Sequence, residues 1–148
     1  MISLTSEYAL QAMIHLAQHV EDWPIAGRRI AEETGVPGKY LGAILRDLVR
    51  VRVLQSSPGA GGGFRLARSA KKIRLSEVFA PFEPILGKRR PCPFGQEVCS
   101  DEDPCAGHDE WKRVRDTYGR FLEKNSIHDV AFARRKRRAA QAPRRTKR

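Results

Sequence analysis

The chain has 148 residues, 41% of them hydrophobic, which suits one domain with an added arm or loop and excludes two full domains. No run approaches the roughly 18 consecutive apolar residues of a membrane-spanning helix, and polar side chains interrupt the N-terminal apolar residues, so a cytoplasmic protein without membrane contact or signal peptide is expected. The net charge of +11 suggests a nucleic-acid partner, but nine basic residues lie between Arg134 and Arg148, so charge alone does not establish DNA binding.

Three helices are predicted in the first third of the chain. Helical periodicity runs from Thr5 to about His19, and Thr5 or Ser6 can cap this helix. A short helix from Gly27 to Glu33 and a third from about Lys39 to Val51 follow, with a turn between them. The residues predicted to face the core are Ala9, Met13, Leu16 and Val20 in the first helix and Leu41, Ile44, Leu45 and Leu48 in the third.

The second and third helices have the residue spacing of a helix-turn-helix. Ala31 is small where two helices would cross, Gly35 can adopt the positive φ that ends a helix, and Leu41 anchors the next helix in the core. On these residues alone, an ordinary helical hairpin is the alternative. The DNA contacts predicted from this unit are Arg28, Pro37, Gly38, Lys39 and Tyr40.

A glycine-rich hairpin follows directly. Short strands around Val53–Gln55 and Phe64–Ala67 flank the run Gly59–Gly63. This order is typical of a winged helix, in which one helix enters the major groove and the hairpin lies along the backbone or minor groove. One alternative is a hairpin tip without a ligand. A nucleotide-binding loop is disfavoured, because the glycines of this sequence are not followed by the lysine that such a loop requires. The predicted wing contacts are Ser57, Gly61, Gly62, Gly63 and Arg65.

The second half of the chain predicts two more helices. A short helix at Ser76–Phe79 is followed by a polar loop, Gly87–Gly107, and by a helix from Asp109 to about Lys124. That last helix would expose an apolar stripe in a monomer, so we expect the stripe to pack on its own domain or, preferably, on a second copy. The stripe consists of Trp111, Val114, Tyr118 and Phe121.

All three cysteines lie in the loop, in the pattern Cys92-x6-Cys99-x5-Cys105-x2-His108. Without a secretion signal, such a cluster indicates a metal site rather than disulfides. Three thiolates and one imidazole suit tetrahedral zinc or an iron–sulfur cluster, and the wide gaps favour the cluster. Three free thiols are an alternative. A thiol enzyme using Cys105 and His108 is disfavoured because no catalytic motif is present, so we expect no enzyme.

With these segments in view, the sequence resembles the Rrf2 family of bacterial regulators up to about Asn125. The resemblance implies a homodimer that binds a partly palindromic DNA operator. It also implies an iron–sulfur cluster, 2Fe–2S in preference to 4Fe–4S, that senses iron, nitric oxide or redox state. By position it implies Cys92, Cys99 and Cys105 as ligands, with His108 or Glu7 of the partner subunit as the fourth. The matching segments are Leu4–Met13, Pro37–Leu41 with Leu45 and Leu48, Ser57–Phe64 and the three-cysteine loop.

Together these observations predict a mainly α protein with a small β-hairpin wing, namely a winged helix-turn-helix domain plus a long dimerisation helix. The predicted function is a transcription repressor in which cluster ligation orders the loop and so sets the separation of two recognition helices. Structural zinc, redox-active thiols, or sequence-independent DNA binding through the tail are alternatives. The predicted segments are a winged domain (1–86), a cluster-binding loop (87–108), a dimerisation helix (109–130) and a disordered basic tail (131–148).

Overall fold

A computed structural model describes residues 2–87 and 90–132. Within this part of the chain the protein is mainly helical with one two-stranded antiparallel sheet, which confirms the predicted fold class. None of its helices is long and apolar enough to cross a membrane. The elements are α1 (Leu4–Gln18), α2 (Gly27–Thr34), α3 (Gly38–Arg50), β1 (Leu54–Ser57), β2 (Gly63–Leu66), α4 (Leu75–Phe79) and α5 (His108–Lys124), with 3-10 turns at Val20–Asp22, Ala70–Lys72 and Pro84–Leu86.

Helix α1 supplies the centre of the core. Ser3, rather than Thr5 or Ser6, is its N-cap, because the Ser3 side chain accepts a hydrogen bond from the Ser6 N–H at 3.2 Å. The predicted core residues Ala9, Met13 and Leu16 are fully buried. Val20 is 51% exposed, so the prediction for this residue is wrong. The helix ends at Gln18, and Val20 begins a 3-10 turn that no longer follows the helical face.

Helices α2 and α3 form the predicted helix-turn-helix. Gly35 ends α2 with a φ of 77°, and its N–H donates to the Ala31 carbonyl at 2.9 Å. The helices approach closely at Ala31, since a Cβ on Gly38 would lie 3.9 Å from the Ala31 Cβ. The four apolar residues predicted for α3 are all buried, with exposures of 3% or less: Leu41, Ile44, Leu45 and Leu48.

The hairpin is fixed against the connection between α1 and α2. Strands β1 and β2 pair from Leu54 opposite Leu66 to Ser57 opposite Gly63. Ile25 exchanges two backbone hydrogen bonds with Phe64, at 2.9 and 2.8 Å. Gly63 passes so close that an added Cβ would lie 2.3 Å from the backbone carbon and oxygen of Ile25. The hairpin is therefore held against the connection that leads into the helix-turn-helix.

The substitution Gly63→Ala is expected to lower the free energy of unfolding by about 1–3 kcal/mol, because the methyl group must displace backbone atoms of Ile25. Gly119→Ala is the matched control, since its Cβ would meet no atom within 4 Å inside α5. It is expected to raise stability by up to about 1 kcal/mol. Urea unfolding followed by circular dichroism measures both. A Gly63→Ala variant as stable as the parent would contradict the tight docking of the wing.

The C-terminal half completes the same core instead of extending away from it. Leu122 and Ile127 are fully buried together with Phe79 of α4. The Leu75 N–H donates to the Asn125 carbonyl at 3.0 Å, and the Ile127 N–H donates to the Ile73 carbonyl at 2.9 Å. Residues after 86 therefore contribute to the same core as the winged domain.

Helix α5 has nearly the bounds predicted for the last helix, from Asp109 to about Lys124, and it ends inside the segment assigned to dimerisation, 109–130. Helix α5 ends at Lys124, and a second helical stretch covers 127–132. Ala131, placed in the predicted tail, is only 7% exposed, and its carbonyl accepts a hydrogen bond from Gln18 Nε2 at 2.7 Å. The remainder of the predicted tail, 133–148, lies outside the described residues.

Candidate functional site

The start of α3 presents the predicted DNA-reading residues to solvent. Pro37 is the N-cap of α3, and its carbonyl accepts hydrogen bonds from the N–H groups of Tyr40 and Leu41. All four predicted residues, from Pro37 to Tyr40, are exposed. The Lys39 ammonium lies 4.7 Å from the centroid of the Tyr40 ring, which stacks on Tyr8 with centroids 6.5 Å apart. A cation and an aromatic ring therefore stand together at the exposed end of this helix.

Two further arginines lie on the exposed surface of the helix-turn-helix. Arg28 on α2 is exposed and forms an ion pair with Glu32 at 2.9 Å. Arg46 on α3 is also exposed, and sequence reasoning missed it. Its position seven residues after Lys39 places both side chains on one face, two helical turns apart. That spacing is the signal that could have identified it.

The predicted wing residues have two kinds of environment. Ser57, Gly61 and Arg65 are exposed, and Arg65 Nε donates to Oε1 of its cross-strand partner Gln55 at 3.0 Å. Gly62 instead donates its N–H to the Gly59 carbonyl at 3.0 Å, and an added Cβ would lie 2.2 Å from the Ser57 carbonyl. Gly62 and Gly63 are thus required by the packing of the hairpin. The sequence alone could not separate this role from contact with DNA.

The loop brings the predicted metal ligands together as two pairs. The Sγ atoms of Cys92 and Cys105 are 3.6 Å apart, and Cys99 Sγ lies 3.6 Å from His108 Nδ1. Cys92 and His108 are buried, with exposures of 8% and 4%. Across residues 2–87 and 90–132, no three His, Cys, Asp or Glu side chains form a group that could hold a metal ion.

The two thiols of the first pair differ in acidity. Backbone N–H groups of Gln96 and Phe94 stabilise the thiolate and lower the pKa of Cys92. Burial raises the pKa of Cys105, and the neighbouring Cys92 adds to that effect. Cys92 is therefore the more acidic of the two thiols.

Charged residues of α5 and of the loop surround the second pair. Arg115, which is only 8% exposed, places a guanidinium nitrogen 3.6 Å from Cys99 Sγ. Asp101 Oδ1 lies 2.7 Å from His108 Nε2, and the Lys112 ammonium contacts both Asp101 oxygens at 2.8 and 2.7 Å. These hydrogen bonds lower the pKa of Asp101 to about 2, with Lys112 as the larger cause. Sequence reasoning named none of these three charged residues, because their contacts with the loop depend on the fold.

The donor set fits an iron–sulfur cluster or zinc by its chemistry. Three thiols and an imidazole lie on a stretch of 17 residues, and these are the ligand types of both kinds of site. The guanidinium of Arg115 adds positive charge beside Cys99, where a thiolate ligand would be anionic. Glu7, the other candidate fourth ligand, is exposed on α1, and its predicted role requires a second subunit.

Comparison with known proteins identifies relatives of the whole described chain. The profile of the Rrf2 family, described as iron-dependent transcriptional regulator, matches residues 2–133. The HTH-type transcriptional regulator IscR of Photorhabdus laumondii is 32% identical over 130 residues, covering 86% of this chain and 77% of that protein. These relatives are transcription regulators and not enzymes, in agreement with our expectation.

Two solved structures resemble the fold. CymR, the global cysteine regulator of B. subtilis, has 27% identity and a TM-score of 0.69, with 88% of this chain and 95% of that chain covered. The T. potens IscR structure gives a TM-score of 0.71 at 24% identity, covering 97% of this chain and 93% of that one. At that identity the second likeness supports the fold alone.

Proposed function

The chain belongs to the Rrf2 family of transcription regulators, and we propose that it is a homodimeric repressor whose DNA binding is controlled by an iron–sulfur cluster. The observation that carries this proposal is the gathering of the four donors into two pairs, each 3.6 Å apart, in a loop that leads directly into α5. Cys92, Cys99, Cys105 and His108 would hold the cluster. Histidine coordination is known in 2Fe–2S centres, so we expect 2Fe–2S rather than 4Fe–4S.

The described part of the loop is held by separate hydrogen bonds and side-chain contacts, and not by regular secondary structure. Between Leu86 and α5 the described residues contain no helix or strand. A bound cluster would crosslink the loop through its ligands, and iron limitation, nitric oxide or oxidation would remove that crosslink. His108 would transmit the change to α5, because it is both a ligand candidate and the first residue of that helix. Order in the loop would fix the start of α5 and, in a dimer, the separation of the two α3 helices.

Anaerobic purification tests the cluster directly. We expect coloured protein with visible absorption, containing iron and acid-labile sulfide in equal amounts. Selection of DNA sites should recover a partly palindromic operator, and its affinity should change when the cluster is removed. Colourless protein without iron would contradict the proposal and leave a winged repressor of the same family. Because transcription takes place on chromosomal DNA, we expect this activity in the cytoplasm.

A second candidate function keeps the repressor and replaces the cluster by thiol chemistry. It is favoured by the 3.6 Å separation of the Cys92 and Cys105 sulfur atoms. Oxidation by hydrogen peroxide would remove two protons and two electrons from these thiols, form one disulfide and reduce the peroxide to two molecules of water. Peptide mapping of peroxide-treated, metal-free protein would then find Cys92 linked to Cys105. Stoichiometric zinc in the purified protein would instead indicate a structural metal site.

The proposed DNA contacts predict the effect of changing Lys39. We expect Lys39→Gln to weaken operator binding and to lower the slope of log affinity against log salt by about one, because one phosphate contact and its released counterion are lost. Lys39→Arg keeps the charge and should keep the slope. Fluorescence anisotropy with labelled operator at several salt concentrations measures both. An unchanged slope in Lys39→Gln would contradict a phosphate contact.

A further inference from the structure

We propose that Asp101 and Lys112 are positioning residues that orient the His108 ring so that Nδ1, and not Nε2, is presented to the metal beside Cys99. This inference rests on the proposed cluster site and deepens it. It states which ring nitrogen serves as the ligand and which side chains select it.

The proton on His108 is placed by its two neighbours. A carboxylate can only accept hydrogen bonds, so the 2.7 Å contact with Asp101 Oδ1 requires the proton on His108 Nε2. In the neutral ring, Nδ1 then carries the lone pair, and Nδ1 is the nitrogen that faces Cys99 Sγ at 3.6 Å. Since His108 is only 4% exposed, water is poorly placed to offer the ring another partner.

Lys112 keeps Asp101 in place. The Asp101 side chain is 67% exposed, so its contact with the ring would by itself contribute little free energy. The Lys112 ammonium bridges both carboxylate oxygens, at 2.8 and 2.7 Å. Lys112 lies four residues after His108, which puts the two side chains on the same face of α5, one turn apart. The orientation of the ligand therefore depends on the first turn of α5 being helical.

This arrangement links the metal site to the helix on which dimer geometry is proposed to depend. Hydrogen-bond partners of metal-bound histidines commonly fix the ring orientation and raise its basicity. Here the partner is a loop residue held by a helix residue. A change in the conformation of α5 would alter the orientation of the His108 ring. Loss of the metal would release one restraint on the start of α5.

The tautomer is measurable in metal-free protein by long-range 1H–15N correlation spectra, at a pH where the imidazoles are neutral. We expect wild-type His108 to be mainly the Nε2–H form. Asp101→Ala and Lys112→Met should shift it toward a mixture, and Lys112→Arg should restore it. His128, whose ring contact is with Phe132, is an internal reference that should not change. Mainly Nδ1–H in the wild type, or no response to Asp101→Ala, would overturn the inference.

A second measurement uses protein loaded with iron and sulfide. Asp101→Ala is expected to shift the reduction potential of the cluster and to weaken its retention about 10–100-fold against a chelator. Glu102→Gln, a neighbouring exposed residue of the loop, is the control and should leave both unchanged. If the wild type takes up no cluster, the proposed function fails, while the tautomer spectra still decide the inference. If the cluster binds and Asp101→Ala behaves as the wild type, the inference fails while the proposed function stands.

Discussion

Replacing Phe121 by glutamate is expected to convert the proposed dimer into a monomer and to lower operator affinity by about 10²–10⁴-fold. Phe121 and Val114 are each 47% exposed, and they lie seven residues apart on one face of α5. A large apolar stripe exposed in this way indicates an interface. In a two-fold dimer the same surface meets itself, so each glutamate would enter an apolar contact without a partner charge.

Analytical ultracentrifugation and operator titration measure the two effects separately. Arg120→Glu is the matched control, because Arg120 is exposed and points about 100° around the helix from Phe121. It should leave the oligomeric state unchanged, although the charge change weakens DNA binding modestly. If Phe121→Glu remains a dimer of wild-type affinity, α5 is not the dimerisation helix. The loss of affinity should be smaller for a single half-site than for the full operator, since in the proposed dimer one winged domain would read each half.

The predicted interior of α3 matches the structure because local and global preferences agree there. Leu41, Ile44 and Leu48 repeat at helical spacing, and one side of α3 packs on both α1 and α2. Val20 shows the limit of the same reasoning. Periodicity continues to Val20 in sequence, but helix ends depend on where backbone hydrogen bonding stops, and α1 ends at Gln18.

The buried side of α5 includes a polar residue that a search for apolar positions does not find. Leu122 is fully buried and Arg115 is 8% exposed, while Trp111 and Tyr118 are only half-buried. A hydrophobic pattern ignores arginine, whose guanidinium here lies against Cys99 Sγ and the Asp116 carboxylate. Burial raises the pKa of Tyr118 to about 12, because its hydroxyl lies on the side of the stripe that faces the protein.

Long-range contacts join the segment after α5 to the residues around α4. Backbone bonds join Ile127 to Ile73 and Leu75 to Asn125, across some fifty residues of sequence. For the metal site, the sequence supplied the donors and their order along the chain. It could not show that they meet pairwise, because the loop has no periodic element to fix their positions.

Substitution of the ligand candidates is expected to have the second large effect. Cys92→Ser, Cys99→Ser and Cys105→Ser should each lose nearly all bound iron, since a serine hydroxyl is a much poorer soft ligand than a thiolate. The fold should survive, because Cys92 alone among the three is buried and the rest of the core lies in the helices and hairpin. Circular dichroism checks the fold, and iron and sulfide analysis after anaerobic reconstitution measures the loss.

Two variants, His108→Ala and Glu7→Gln, distinguish the candidates for the fourth ligand by their effect on cluster retention. His108→Ala should reduce cluster retention at least about tenfold, as the imidazole already stands 3.6 Å from Cys99 Sγ. Glu7→Gln keeps the size and polarity of an exposed side chain on α1, and cluster binding should be unaffected. The reverse ranking would assign the ligand to Glu7 of the partner subunit.

With Glu7 as the ligand, cluster binding would require the dimer, and Phe121→Glu would lose iron together with operator affinity. With His108 as the ligand, each protomer holds its own cluster, so monomeric Phe121→Glu should remain coloured.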